Sequence, residues 1–282
     1  MKKVFYLLAS ICLLATNAEA QEVQKIDGAL KFLVMGDWGR VGEDHQKPVA
    51  DQMGKVAKQI GSEFVISTGD NFYPRGVQSE FDPLWKYSFE DIYTAFSLQW
   101  DWYSVLGNHD YGDYVQWASP AAKQKNLNNL IHAHKVMGWD ILNDENRFIE
   151  QNGEKLAIIG VQNISGQSRF HSYGDLAKAV KGTDEAAVKL LLSHDPTHWD
   201  KEVNTKYKDI DVMFSGHTHG TQFGITVGDT TWSPAQYVYK QWAGLYEQDN
   251  QKLYVNRGYG YIGYPGRVGM PPEITVFELT KA

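Results

Sequence analysis

Phe32-Leu33-Val34-Met35-Gly36-Asp37 and, further on, Phe64-Val65-Ile66-Ser67-Thr68-Gly69-Asp70 are the stretches whose reading decides the fold. Each is a short apolar run stopped by Gly-Asp, too short for a helix and of a length suited to a buried strand. Between them Val49, Met53, Val56, Ala57 and Ile60 recur at helical spacing, with Pro48 near the start and Gly61 as the stop. Strand, helix and strand in that order make a crossover unit, the signature of an α/β sheet. The same pattern recurs in Tyr103 to Leu106 before Gly107-Asn108-His109, Val188 to Leu192 before Ser193-His194, and Val212 to Phe214 before Gly216-His217. Arg147 to Gln151, Asn152-Gly153 and Lys155 to Val161 read as a hairpin, because Asn-Gly suits a tight primed turn, so the sheet is mixed. Lys252 to Asn256 and Ile274 to Leu279 are expected as strands around the Gly- and Tyr-rich loop Gly258 to Pro272, and Asp82 to Ser97 and Ala121 to Met137 as helices.

Ligands in open α/β sheets collect outside the carboxyl ends of strands. The five predicted strand ends carry Asp37, then Asp70 with Tyr73, Asn108 followed by His109, His194, and the pair His217 and His219. Gly-Asp alone is commonly a turn or a helix cap, and a lone histidine at a strand end is commonly structural. His217 and His219 are better evidence, since residues two apart in an extended segment point to one side. Seven oxygen and imidazole donors without thiolate exceed what one tetrahedral ion takes and suit two ions of manganese, iron or zinc type. A carboxylate such as Asp70 can bridge two ions.

The chain has 282 residues, 43% hydrophobic and 22% charged, within the range of a globular fold. A net charge of -7 argues against a broad nucleic-acid surface and leaves room for a small anionic substrate at a local site. Lys2 and Lys3, the apolar Val4 to Ala15, and Ala18-Glu19-Ala20 together read as a signal peptide over residues 1–20. The apolar run falls short of the roughly 20 residues a spanning helix needs, so no stable membrane anchor is expected after cleavage. Export to a periplasm or the exterior follows. Cys12, the only cysteine, lies in that segment, and Ile11 before it weakens lipid attachment as an alternative. The mature chain, read as one catalytic domain over residues 21–282, would then have no disulfide, thiolate zinc site or cysteine nucleophile.

Five blocks carry a family resemblance: Gly36-Asp37-Trp38-Gly39, Gly69-Asp70-Asn71-Phe72-Tyr73, Gly107-Asn108-His109-Asp110, Ser193-His194-Asp195-Pro196 and Gly216-His217-Thr218-His219-Gly220. In type and order they resemble the calcineurin-like metallophosphoesterases. The first two, with Arg75-Gly76-Val77, are most similar to the small purple acid phosphatases of the tartrate-resistant type. The resemblance implies an αββα sandwich of four layers, two mixed sheets flanked by helices. It implies that Asp37, Asp70, Tyr73 and His219 hold a first metal, and that Asp70 as bridge, Asn108, His194 and His217 hold a second. His109 would face the substrate phosphate, with Arg75 and His198 as further substrate-facing residues. Most members of the superfamily have a histidine where Gly39 stands; the purple enzymes have glycine there and a tyrosine in the place of Tyr73. Fe(III) is therefore expected at the Tyr73 site, with Fe(II), zinc or manganese at the second.

The sequence also departs from the purple pattern. Ser193-His194-Asp195-Pro196 stands where those enzymes usually have Gly-His-Tyr-Pro. The last block, with Asn256-Arg257-Gly258 and Pro271-Pro272-Glu273-Ile274, is more similar to bacterial membrane-associated or secreted metallophosphoesterases. The pocket walls thus differ while the ligands survive. The expected activity is a phosphomonoesterase of acid phosphatase type on a small phosphorylated substrate, a metal-bound hydroxide attacking phosphate with His109 assisting. The alternatives are a phosphodiesterase acting on nucleotides or lipid head groups, and a metal- or phosphate-binding protein without turnover, for which His109 would have no use.

Overall fold

The computed structural model describes residues 28–151, 153–228 and 230–280. The crossover is present: β1 (Leu30–Met35) lies parallel to β2 (Phe64–Ser67), and the helix Gln46–Ile60 joins them. Parallel pairing continues to β3 (Asp101–Ser104) and β4 (Asp140–Ile141). A second sheet is built from β5 (Glu145–Gln151), β6 (Glu154–Gly160), β7 (Val188–Leu192) and β8 (Val212–Ser215), and a small ribbon from β9 (Ile225–Val227) and β10 (Thr230–Trp232). β11 (Gly244–Gln248) and β12 (Gln251–Val255) extend the second sheet, and β13 (Thr275–Leu279) closes the first antiparallel to β1. The orders are β13-β1-β2-β3-β4 and β11-β12-β8-β7-β6-β5. Both sheets are mixed.

Side chains alternate across a strand, and here both faces are buried. From β1 and β2, Phe32, Val34 and Ile66 meet Ile158, Leu190 and Phe214 between the sheets, while Leu33, Met35 and Val65 face Met53, Ala57 and Ile60 of the Gln46–Ile60 helix. On the far side of the second sheet, Ile159, Leu191 and Met213 pack on Leu176, Trp199 and Val203. The result is the αββα layering that the resemblance implied. β1, β2, β3, β7 and β8, whose carboxyl ends carry the candidate ligands, run parallel within their sheets, so those ends gather on one edge of the sandwich.

Two boundaries show the local chemistry at work. The Gln46–Ile60 helix stops where Gly61 takes φ 71° and donates its N–H to the Ala57 carbonyl at 3.0 Å. Pro120–Val136 starts on Ser119, whose hydroxyl accepts from the Ala122 N–H at 3.2 Å. The hairpin pairs Glu145 with Gly160 and Gln151 with Glu154; Gly153 has φ 80°, and Asn152 lies outside the described residues. The helix expected over Asp82 to Ser97 is a correction: the segment breaks into a turn at Pro83–Trp85, a wide turn at Lys86–Glu90 and a tight one at Phe96–Leu98. Trp85, Phe89 and Tyr93 are drawn into an aromatic cluster with Trp38, Trp102 and Trp139, and packing those rings overrides a regular helix.

Candidate metal centre

Asp37, Asp70, His217 and His219 lie just beyond their strands, all with positive φ, at 54°, 51°, 72° and 52°, so the extended segment expected for His217 and His219 is a correction: β8 ends at Ser215 and the two imidazoles converge from a left-handed turn. For residues with a Cβ this left-handed backbone costs on the order of 1 to 3 kcal/mol each, and it persists because neighbours enforce it. The Asp37 N–H donates to the Gly69 carbonyl at 3.0 Å, and the Gly216 N–H to the His194 carbonyl at 3.0 Å. Glycine lets the loops close up: a Cβ on Gly107 would lie 2.2 Å from Asp70 Oδ1, and one on Gly216 would lie 2.4 Å from Asp37 Oδ2.

Two groups of donor atoms result. Tyr73 Oη lies 3.4 Å from Asp37 Oδ1, 3.2 Å from Asp70 Oδ2 and 3.1 Å from His219 Nε2. His194 Nε2 lies 3.3 Å from Asp70 Oδ2, 3.2 Å from Asn108 Oδ1 and 3.2 Å from His217 Nδ1. Asp70 Oδ2 belongs to both groups. Atoms of Asp37, Asp70 and His194 fall within 4.8 Å of one another, all buried.

The tautomers show that this set fits cations. His194 Nδ1 is 2.9 Å from the Thr68 carbonyl and must donate to it, so in the neutral ring the Nε2 lone pair points at the Asp70 and Asn108 oxygens. Asn108 Nδ2 donates to Tyr114 Oη at 3.2 Å, which turns Oδ1 inward. Lone pairs facing lone pairs in a buried site call for positive charge between them. Without a metal the ring itself supplies it: burial opposes the charge, but the Asp70 and Asp37 carboxylates push the His194 pKa up to about 10. Asp70 is held far below the usual carboxylate range, burial being outweighed by His194 and His109. Burial, Asp70 and Asp37 together raise the Tyr73 phenol well above its ordinary value, outweighing the Arg40 guanidinium that lies over the ring.

His109 stands beside this cluster. Its backbone N–H donates to Asp70 Oδ1 at 2.8 Å, its ring lies between Tyr73 and Tyr114 with centroids at 4.6 and 4.7 Å, and both buried ring nitrogens lack a partner among the described residues. Burial, outweighing Asp70, lowers its pKa. Of the other two candidates, His198 is held away from the cluster by its own loop. His198 is fully buried, with Nδ1 2.8 Å from Ser193 Oγ and Nε2 2.9 Å from Glu202 Oε1, so both nitrogens are spent on its own loop. The Arg75 carbonyl accepts from Asn126 Nδ2 at 3.0 Å, and its guanidinium makes no ion pair among the described residues.

Several participants were not singled out from the sequence. Asp110 accepts N–H groups from Asn71, Phe72 and Gly107 at 3.0 to 3.1 Å, tying the loops after β2 and β3 together. Burial and the Asp70 charge outweigh those bonds and push its pKa up to about 7. Arg40 lies over the Tyr73 ring at 3.9 Å, and Arg267 Nη1 reaches the His219 carbonyl at 3.4 Å. The outer nitrogen of His217, Nε2, is 3.0 Å from Tyr239 Oη and 3.8 Å from Asp195 Oδ2, a buried oxygen without a hydrogen bond among the described residues. Asp195 is one of the two residues at which the fourth block departs from the purple pattern, and that departure is its signal in the sequence.

The calcineurin-like phosphoesterase family model matches residues 30–221, which include every residue of the two donor groups. Purple acid phosphatase 4 of Arabidopsis thaliana is 48% identical over 293 aligned positions, covering 91% of this chain and 84% of the relative. Purple acid phosphatase 3 of the same plant is also 48% identical, over 42% of this chain and 34% of its own length, so the aligned part spans about a third of that relative. Among solved structures, GAP50, the anchor in the inner membrane complex of Plasmodium, superposes with a TM-score of 0.56 at 15% identity, covering 89% of this chain and 81% of that one. That likeness concerns the fold alone. The chain belongs to the calcineurin-like phosphoesterase family. Within it, it falls among the purple acid phosphatases, a class of metal-dependent phosphoric ester hydrolases.

Proposed function

We propose that this chain is a dinuclear-metal acid phosphatase acting on phosphomonoesters, with Asp37, Asp70, Tyr73 and His219 holding one ion and Asp70, Asn108, His194 and His217 the other. The observation that carries this is Asp70 Oδ2, common to both donor groups, with the unpartnered His109 ring beside it. Two cations held there would neutralise phosphate oxygens and lower the pKa of a water toward neutrality. The chain's own part is positional. Asp110 fixes the loops that present Asp70 and Asn108, and the Thr68 carbonyl selects the His194 tautomer with its lone pair inward. Tyr73 and Tyr114 hold His109 so that its free nitrogens can bond a phosphoryl oxygen or hand a proton to the leaving alkoxide.

Tyr73 supports Fe(III) at the first position, because a phenolate is a hard anionic oxygen, with Fe(II), zinc or manganese at the second. Residues 1–20 are proposed as a signal peptide for export, and residues 21–282 as one catalytic domain. β13 pairing with β1 brings the two ends of the described fold into one sheet, in keeping with a single domain, and no described helix is long and apolar enough to cross a membrane. Metal analysis, a visible spectrum and hydrolysis of a monoester beside a diester test the proposal. Expected are close to two ions per chain, a visible band abolished by Tyr73→Phe, faster monoester turnover, and metal loss from both sites in Asp70→Asn. Two full sites in Asp70→Asn would refute the bridge, and a band that survives Tyr73→Phe would refute the iron–phenolate assignment.

A further inference from the structure

Arg40, Arg169 and Arg267 form no ion pair among the described residues of this acidic protein, and all three lie about the donor groups. Arg40 and Arg267 are built into the walls: Arg40 is stacked between Tyr73 and Tyr261 and bonded to the Tyr261 carbonyl, its buried Nε without a partner among the described residues, and Arg267 is bonded to the carbonyls of Arg257, Gly260 and His219. Arg169 is different because it is exposed. Its Nη2 donates to Tyr239 Oη at 3.1 Å, and that oxygen is 3.0 Å from His217 Nε2, so two hydrogen bonds separate the guanidinium from a metal-ligand candidate. Its remaining N–H groups have no partner among the described residues, and Arg169 lines an open cavity of about 570 Å³ together with Gly166, Gln167, Ser168, Tyr237 and Val238.

The loop that carries Arg169 is braced. The Gly166 N–H donates to Thr197 Oγ1 at 2.8 Å, the Ser165 N–H to Ser172 Oγ at 3.0 Å, and Lys201 Nζ to the Ser165 carbonyl at 2.8 Å. The guanidinium also lies over the Phe170 ring at 4.7 Å, and Phe170 meets His217 edge-on at 4.5 Å. A cation fixed in advance by stacking loses little freedom when it binds an anion, and the planar guanidinium suits a two-oxygen anionic group.

We propose that Arg169 and the cavity beside it receive a second anionic group of the substrate, so that the preferred phosphomonoesters carry a further carboxylate or phosphate a few bonds from the ester. This rests on the phosphatase reading above. A matched pair tests it: 3-phosphoglycerate and glycerol 3-phosphate differ in a carboxylate against a hydroxymethyl group. The metal-loaded wild-type chain is expected to favour 3-phosphoglycerate about tenfold in kcat/KM, mainly through KM, the effect of one charge-assisted hydrogen bond. Arg169→Gln should abolish the preference and Arg169→Lys should keep part of it. Binding of 3-phosphonopropionate against propylphosphonate, measured calorimetrically, should show the same tenfold difference without turnover and lose it in Arg169→Gln. Equal turnover of the two esters by the wild type, or a preference that survives Arg169→Gln, overturns the proposal and leaves the phosphatase reading standing. Failure to hydrolyse either ester overturns both.

Discussion

Replacing Gly39 by alanine probes how tightly the first donor group is built. A Cβ on Gly39 would lie 1.9 Å from the Asn71 carbonyl oxygen, 2.9 Å from its carbon and 3.0 Å from Phe72 Cα, all of them backbone atoms that cannot swing away. Restoring an ordinary contact of about 3.5 Å requires the Asn71–Tyr73 backbone to retreat by roughly 1.5 Å. That retreat stretches the bond from the Tyr73 N–H to the Gly39 carbonyl, now 3.0 Å, and separates the paired segment Gly39 and Phe72. Overpacking costs about 1 to 3 kcal/mol and the lost hydrogen bond about 1 more, so a destabilisation of about 2 to 4 kcal/mol is expected. Metal ligands tolerate only about 0.2 Å of misplacement, so Tyr73 should drop out of the donor group. Urea denaturation of the metal-free protein and metal analysis of the loaded one read the two effects. An unfolding free energy within about 0.5 kcal/mol of wild type, with both sites full, would refute the reasoning.

His109→Ala should lower turnover of alkyl phosphates by about 10²-fold with metal content unchanged, and by less for aryl phosphates, whose leaving groups need less protonation. Equal losses on both would assign His109 to phosphate binding alone. The His134 pKa is lowered to about 4 by burial, against an ordinary 6.5, although its Nδ1 bonds the Leu130 carbonyl at 2.8 Å. Because the folded pKa is depressed, the stability it contributes is present above about pH 6.5 and is lost as pH falls toward 4, on the order of 3 kcal/mol in all. His134→Leu should therefore flatten that part of the stability profile relative to wild type in denaturation series of the metal-free protein; an unchanged slope would show that the imidazole does not titrate with unfolding.

What the sequence by itself determined is what local chemistry controls. Short apolar runs ended by Gly-Asp, Gly-Asn-His, Ser-His and Gly-His read as buried strands opening into polar loops, and the periodic stretch up to Ile60 as the crossover helix, and the fold has both. Strand polarity then places Asp37, Asp70, Asn108, His194 and His217 on one edge, which is why the candidate donors are legible in the sequence. The irregular Asp82 to Ser97 segment was not legible, because its path follows rings supplied by Trp38, Trp102 and Trp139, distant in sequence. The surroundings of His198 were not legible for a related reason: nearness in sequence to a ligand does not say where a side chain points. Only the tertiary structure decided that His198 turns to Ser193 and Glu202, that Asp110 binds two loops together, and that Arg40 and Arg169 reach the site from separate segments. Such contacts depend on through-space distance between remote residues, and no local pattern encodes that distance.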